Sequence, residues 1–587
     1  MNGVNGTDNV IGKLAAERSA QKSYWTEHSV ETTVEAMMLD SQAKVIDKEE
    51  RPEVLGMLGS VKGKRVMELG AGIGRFTGDL GAQAKSLLAL DFIQRLIEEN
   101  ERQHGHMGNI TFKAGDACEL EAEPESFDVV FTNWLLMYLG DDEVSKLMHN
   151  MLTWLTEGGV LFFRESCFKP SGDKKRGNNP THYRSPKDYF AVVDALELQE
   201  SDGQYSHFEL ISCKCVDTYV RVKKNQSQIC WKWRKVYTQE SGKKEFRHFL
   251  DNQQYQTNGI LRYERIFGQG YVSTGGFETT KDFVSQLNLK PGQRVLDVGC
   301  GIGGGDFYMA AEHGVFVHGI DLSVNMVLIA IERAGKVPGG ASVSFEIADC
   351  TLATYPPQSF DVIYSRDTIL HIQDKPALFR RFAEWLKPGG RVLISDYCRS
   401  CDKPSGSFAK YIAQRGYDLH SVAGYGKMIE EAGFVSVEAD DRTWQFEECL
   451  KRELAVAEKD KVAFIQEFSE SDYSAIEAGW KDKLLRVGDG QQRNGDPLTT
   501  SLSAAQAAGR SVCKQHAARM WLTRLRGVTD TLLDMLSEAK ASLEEVLPGL
   551  LQKRDDAKRS NIIELITLAG QCEAMRLFFP FGLLVAV

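Results

Sequence analysis

Residues 65–74 read RVMELGAGIG, and residues 294–303 read RVLDVGCGIG. Each stretch is a short apolar run holding a carboxylate, followed by glycines at alternate positions. Working outward from these two stretches, Glu68 and Asp297 stand 229 positions apart. LALDFI sets Asp91 against Asp321 of HGIDLS, 230 apart, and AGDAC sets Asp116 against Asp349 of IADCT, 233 apart. SFDVVF and SFDVIY pair Asp128 with Asp361, and WLTEGGVLFF and WLKPGGRVLI pair Gly158 with Gly389. Five landmarks in one order at a nearly constant offset mark a duplicated domain.

Within each copy, strand-like runs (RVMEL, SLLAL, ITFKA, DVVFTN) alternate with helical stretches such as FIQRLIEENERQ. Strands alternating with helices imply a parallel sheet covered on both faces. The expected fold is therefore α/β, with two tandem Rossmann-like domains at 15–235 and 250–493. The stretch of about 222–250 is polar and charged and is expected to connect them, with 236–249 as the linker proper.

The chain of 587 residues exceeds what one hydrophobic core supports. Its net charge of −11 argues against nucleic-acid and anionic-membrane binding, both of which need a basic field. No apolar run approaches the length of a membrane-spanning helix. The N-terminal residues lack the apolar core of a secretory signal. Twelve scattered cysteines lack zinc-site spacing and are expected to be free thiols in a cytosolic monomer. No metal is expected.

A glycine loop after a first strand lets the backbone turn tightly and approach a ligand. Dinucleotide and S-adenosylmethionine sites both use one. Here the spacing is G-x-G-x-G (Gly70, Gly72; Gly299, Gly301), whereas a pyrophosphate on a helix N-terminus calls for G-x-G-x-x-G. Glu68 and Asp297 end the strands two residues before the first glycine. A carboxylate there repels a pyrophosphate and suits the cationic amino-acid end of S-adenosylmethionine. Asp91 and Asp321 are placed for the ribose hydroxyls, and Asp116 and Asp349 for the adenine amine. Surface aspartates at strand ends are common in α/β folds, but the full set occurs twice in register. Two S-adenosylmethionine sites are expected, in class I methyltransferase domains.

Several stretches resemble the plant-type tandem phosphoethanolamine N-methyltransferases. They are YWTEHSVETTVEAMMLDS, NWLLMYL and FFRESC in the first copy, and GILRYERIFGQGYVSTGG, YSRDTILHIQDKPALFR, SDYCRS and YIAQRGYDLH in the second. The resemblance implies a first methylation of phosphoethanolamine in the N-terminal half, and a second and third, giving phosphocholine, in the C-terminal half. It implies His371 as general base paired with Tyr255, and Asp367 on the amine. Tyr263, Tyr397, Tyr411, Arg415, Tyr417 and Lys483 would hold the phosphate, with Gln254, Ser273, Cys350 and Arg366 added to the cofactor site. In the first copy Tyr138 stands where the second has His371, and Trp134 where it has Asp367. Tyr24 is the expected lid tyrosine and His28 a nearby donor, while Tyr183 and Arg184 in NNPTHYR are the expected phosphate contacts. Without the resemblance, a single His after an apolar run is more often structural, and Tyr/Arg mixtures are usually solvated helix faces.

Two other functions stay open at this stage. One is a methyltransferase for a sterol or another small acceptor, which would want an apolar pocket. The other makes one half a non-catalytic cofactor-binding module. Beyond Arg493 the family continues with Trp-Gly-Leu-Phe, whereas this chain has Asn494-Gly495-Asp496-Pro497 and an atypical 494–587 tail. LLDMLSEAKASLEEVLPGLL has helical periodicity. A helical appendage and an altered splice product are both consistent with that, and the last strand of the second domain is in question.

Overall fold

The structure, a computed structural model, describes residues 5–174, 181–242, 247, 250–400, 404, 406–489, 492–495 and 500–501. Asn178–Pro180 of the expected phosphate loop, Cys401, Pro497 and the helical stretch of the tail lie outside the described residues.

The apolar runs become strands buried on both faces, and the glycines become the turns that leave them. In the first half β1 (Arg65–Leu69), β2 (Ser86–Asp91), β3 (Ile110–Ala114), β4 (Phe127–Asn133) and β5 (Leu155–Ser166) are parallel in the order β5-β4-β1-β2-β3. A short β6 (Glu197–Gln199) precedes β7 (Tyr205–Cys215) and β8 (Gln228–Thr238), which extend the β5 edge as antiparallel strands. In the second half β9 (Arg294–Val298), β10 (Phe316–Asp321), β11 (Val343–Ile347), β12 (Phe360–Arg366) and β13 (Leu386–Arg399) repeat the same order, β13-β12-β9-β10-β11. Both halves are mixed α/β sheets of Rossmann type, and the duplication is one of topology as well as sequence.

Two features depart from expectation. The stretch around 222–250 is not simply a connector. Its core, QICWKWRKVYT, is β8, in which Ile229, Trp231 and Trp233 alternate and are fully buried between β5 and β7. Counting charge in this stretch hid a period of two. The halves also share one sheet, because β11 pairs antiparallel with β7 through Glu346↔Lys214 and Ile347↔Cys213. Glu346 accepts from Tyr355 and His318 and lies 3.5 Å from Lys214 Nζ. Burial alone would raise its pKa, but Lys214 and His318 bring it down to about 2.

The last strand of the second half is present. β14 (Gln492–Gly495) pairs antiparallel with β13, Asn494 opposite Tyr397, and β15 (Thr500–Ser501) pairs with β13 nearer its start. No described helix is long and apolar enough to cross a membrane.

The helix Ala43–Leu58 packs on the first half through Ala43, Ile46, Val54 and Leu58. On the same face stands Glu50, fully buried, which accepts from Arg164 on β5 at 2.8 Å and from Arg75 at 2.5 Å. A buried charge without its partner is costly. Glu50→Ala is therefore expected to cost about 3–5 kcal/mol, checked as a loss of denaturant stability in the transition that exposes the N-terminal half.

Candidate active sites

Each glycine loop leaves its strand with positive φ at alternate residues. The values are 73°, 54° and 88° at Gly70, Gly72 and Gly74, and 87°, 55° and 84° at Gly299, Gly301 and Gly303. Side-chain-bearing residues avoid this region, and at Gly299 a Cβ would fall 1.8 Å from Thr368 Oγ1. The loop is fixed to the next strand by a carboxylate. Asp91 accepts from the backbone N–H of Gly72 and of Ile93, both at 2.9 Å. Asp321 accepts from Gly301 at 3.0 Å and Ser323 at 2.9 Å. Burial raises Asp91 and pushes Asp321 up to about 6, against the hydrogen bonds that favour their ionised forms.

Glu68 and Asp297 lie buried beneath the loops. Glu68 accepts from Thr77 Oγ1 at 2.6 Å, and burial pushes it up to about 8. Asp297 Oδ1 is buried and receives no hydrogen bond from the protein, and burial pushes Asp297 up to about 7. A buried carboxylate short of donors fits the ammonium end of an amino acid. The fit to S-adenosylmethionine rests on this donor set. Among the described residues no three His, Cys, Asp or Glu side chains converge as metal ligands.

The two cavities differ. The C-terminal one has a volume of about 990 Å³. It brings together sixteen of the expected residues: Tyr255, Tyr263, Ser273, Gly299, Gly301, Asp321, Asp349, Cys350, Arg366, Asp367, His371, Tyr397, Tyr411, Arg415, Tyr417 and Lys483. Asp349 accepts from Thr351 N at 2.8 Å. Arg366 donates to Thr274 O, Gly276 O (3.1 Å) and Thr280 Oγ1 (2.6 Å), which anchors the segment carrying Ser273. The side chain of Gln254 lies outside the described residues.

Asp367 has φ 53°, and its N–H donates to Ser395 O on β13. Four residues on, His371 closes the 3₁₀ turn Ile369–His371, its ring 5.0 Å edge-on from Tyr417. Burial first, then Lys375 and Arg415, bring the imidazole down to about 4, so it is uncharged at neutral pH. Lys375 donates to Ile372 O at 2.7 Å and to Asp418 O at 2.6 Å, tying the His371 turn to Tyr417. Lys483 lies 4.7 Å from the Trp480 ring and 5.7 Å from Tyr397, and burial brings it down to about 8.

The N-terminal cavity is smaller, about 140 Å³, and is lined by Glu68, Gly70, Gly72, Asp91, Asp116 and Tyr138. Trp134 repeats the backbone of Asp367, with φ 57° and its N–H donated to Arg164 O, and Tyr138 closes the matching turn. The chemistry does not repeat. The Trp134 ring lies 3.7 Å from the Arg164 guanidinium, and its indole N–H donates to Gln228.

Three expectations here are corrected. Tyr24 does not line the cavity. It stacks on His28 at 3.8 Å, and the His28 ring bonds back to Tyr24 O; neither is among the residues that line the cavity. Arg18, Gln21 and Trp25 of the same helix line it instead. Trp25 meets Tyr138 edge-on at 5.6 Å, Gln21 donates to Tyr138 O, and Arg18 pairs with Asp116 and Glu143. Their i, i+3, i+7 spacing was readable as a helix face. Arg184 likewise does not line the cavity, and its guanidinium donates to Leu136 O, Leu139 O and Asp141. With Glu165, which accepts from the N–H groups of Leu135, Leu136 and Met137, it clamps the turn that carries Tyr138. Tyr183 also lies off the cavity wall.

A second polar anchor was missed. Asp251, in the π-helical turn Leu250–Gln254, accepts from Ser323 Oγ at 2.6 Å and Val324 N at 3.1 Å. It thereby pins the segment that carries Tyr255 over the cofactor end of the C-terminal cavity.

Two families described as methyltransferase domains match residues 66–159 and 275–439. The phosphoethanolamine N-methyltransferase of Triticum aestivum is 59% identical over 488 residues, 83% of this chain and 96% of its own length. Phosphoethanolamine N-methyltransferase 1 of Arabidopsis thaliana is 58% identical over 481 residues, 82% of this chain and 97% of its own. Among solved structures, Haemonchus contortus phosphoethanolamine N-methyltransferase 2 in complex with phosphomonomethylethanolamine and S-adenosylhomocysteine aligns with a TM-score of 0.64 at 27% identity. That alignment covers 78% of this chain and 98% of the other. The fold and the paired loops thus define an S-adenosylmethionine-dependent methyltransferase with two cofactor sites. Within that class, the chain belongs to the phosphoethanolamine N-methyltransferase family.

If each loop is held by its own carboxylate, each site fails separately. Asp91→Ala and Asp321→Ala are each expected to lower the calorimetric stoichiometry of S-adenosylmethionine from two per chain to one, and the double variant to bind none.

Proposed function

We propose that the chain methylates phosphoethanolamine three times to phosphocholine, with the first transfer in the N-terminal half and the second and third in the C-terminal half. The observation that carries this reading is the exchange of Asp367 and His371 for Trp134 and Tyr138 on backbones with the same positive φ, strand bond and 3₁₀ turn. The alternative of an apolar acceptor is disfavoured by the Tyr, Arg and Lys side chains around His371. A non-catalytic N-terminal module is disfavoured by its intact Glu68, Asp91 and Asp116 set. Phosphocholine so formed would feed choline and phosphatidylcholine synthesis, and we place the enzyme in the cytosol as a monomer.

S-adenosylmethionine, when bound, supplies an electrophilic methyl whose bonding electrons stay with sulfur. The chain's own task is to present a neutral amine in line with it. An alkylammonium is almost fully protonated near neutral pH, so a proton must leave before each attack. The uncharged His371 can take it at the ring. Asp367 attracts the amine end, while Arg415 and Lys483 hold the phosphate with charge-assisted bonds and the tyrosine hydroxyls add donors. A phosphate dianion against Arg415 offsets one of the two charges that lower His371. The base therefore strengthens when the acceptor is seated. Holding both ends at once fixes nitrogen and methyl in line.

Phosphoethanolamine and its monomethyl and dimethyl derivatives are to be offered separately with labelled S-adenosylmethionine. Loss of a general base costs about 10²–10⁴-fold, so His371→Ala is expected to lose the second and third transfers by that factor and keep the first. Equal loss of all three would overturn the division, and no turnover of any by the parent would overturn the substrate. Lys483 gives a second test. Its charge is present below about pH 8 and lost above it, so acceptor KM in the C-terminal half is expected to rise between pH 7 and 9. Lys483→Arg should flatten that rise, because a guanidinium does not titrate there.

A further inference from the structure

Beneath the C-terminal glycine loop a second carboxyl faces Asp297. Asp306 lies in the first turn of the helix Gly304–His313, fully buried. It is within hydrogen-bonding reach of Asp297. No N–H or O–H of the described protein donates to either Asp306 oxygen or to Asp297 Oδ1. Two carboxyls that have only each other cannot both ionise at contact and are held together by a proton between them. A single described cation acts on the pair, the Arg366 guanidinium, which lowers Asp297 without donating to it. Asp321 on β10 and Cys300 in the loop add negative or neutral groups, and Tyr271 and Tyr364 are neutral. The Arg366 guanidinium on β12 is already engaged by Thr274 O, Gly276 O and Thr280.

The N-terminal half solves the same local problem differently. Thr77 follows Glu68 by nine residues, as Asp306 follows Asp297, and its hydroxyl donates to Glu68. The strand neighbour of Glu68 is Ala89, whereas that of Asp297 is Gly319. A Cβ at Gly319 would lie 2.9 Å from Asp306 Oδ2, 2.9 Å from Cys300 Cβ and 3.0 Å from Phe345, so the missing methyl leaves room for the acid among its neighbours. The two exchanges, Thr to Asp and Ala to Gly, belong together.

We propose that Asp306 is a positioning residue of the C-terminal cofactor site. Its carboxyl shares one proton with Asp297 and orients the oxygen that receives the ammonium of S-adenosylmethionine, the task the Thr77 hydroxyl performs for Glu68. Binding that cation requires Asp297 ionised and leaves the proton on Asp306. With one proton shared, the free pair carries a single buried negative charge, and burial drives it to take up a further proton as the pH falls, which the ligand must expel. Affinity therefore weakens on acidification. Replacing Asp306 by a neutral donor leaves that proton step in place, as burial does for Glu68 beside Thr77, so the role of Asp306 is read as affinity at fixed pH.

The test is calorimetric binding of S-adenosylmethionine between pH 6 and 7.5 to the full chain carrying Asp91→Ala, which isolates the C-terminal site. The parent is expected to lose affinity toward pH 6, by up to about tenfold per unit below the pKa of the pair. Asp306→Asn, whose amide still donates to Asp297, should keep the parent's pH curve and bind within about threefold of it. Asp306→Ala should bind at least about tenfold more weakly at pH 7.5, the loss of one charge-assisted orienting bond. Asp306→Thr with Gly319→Ala, which installs the N-terminal arrangement, should recover to within about threefold of the parent at pH 7.5. Should Asp306→Ala fail to fold, the other two variants decide. Asp306→Asn binding at least about tenfold more weakly than the parent while folded, or the double variant failing to recover binding while folded, overturns the proposal.

Discussion

The structure depends on one interaction made twice: a carboxylate at the end of a second strand accepting from a glycine N–H of the loop before it. Asp91 and Asp321 each bridge two backbone segments, the glycine loop and the start of the following helix. Without that bridge the positive-φ glycines would have no reason to hold one conformation, since freedom is what glycine brings. With it, the first-strand carboxylate stays beneath the loop while backbone and side-chain acceptors converge above it. A buried, partly desolvated acid is an expensive way to hold a loop. Its retention in both halves ties the loop's shape to ligand binding more than to stability.

On this common base the halves diverge only past the cofactor. Asp367 and Trp134 share an unusual backbone conformation that a large residue adopts only under constraint. The constraint is the same bond to the neighbouring strand, so the position is preserved while the side chain is free to change. At Trp134 the ring is held between Arg164 and Arg75, and no carboxylate is left to meet a cation there. At Asp367 burial raises the acid, and Arg366 and Lys483 pull it down. The turns bearing Tyr138 and His371 are likewise held by different hands, Arg184 with Glu165 in one and Lys375 in the other.

Much of this was legible in the sequence, because its signals were local. The loop glycines, the strand-end acids and the order of strands all follow from short motifs at constant offset, and the resemblance located the C-terminal phosphate set. What escaped was whatever depended on direction or on distant partners. Tyr24 and Trp25 are neighbours in sequence, and only the docked helix decides which one faces the cavity. Arg184 carries the right charge for a phosphate, but three acceptors within the protein use it first. In β8, the buried Ile229, Trp231 and Trp233 were masked by Lys232, Arg234 and Lys235 interleaved with and following them. Asp306 reads as an ordinary helix-start acid until Gly319 is seen to make room for it.

The pairing of β7 with β11 gives the duplication a physical reason to stay together. A Rossmann-type half leaves the edge beyond its third strand open, and an open edge invites pairing with other chains. Here the edge of β11 in the second half is covered by the antiparallel extension of the first, with Cys213 and Cys215 fully buried along it. The contact also sets Lys214, Glu346 and His318 into one buried group, with Glu346 two strand positions from the backbone that leads to Asp349. Separating the halves would unpair the ends of both strands and leave Glu346 without Lys214, so the seam stabilises both halves. The two sites are therefore held on one continuous sheet.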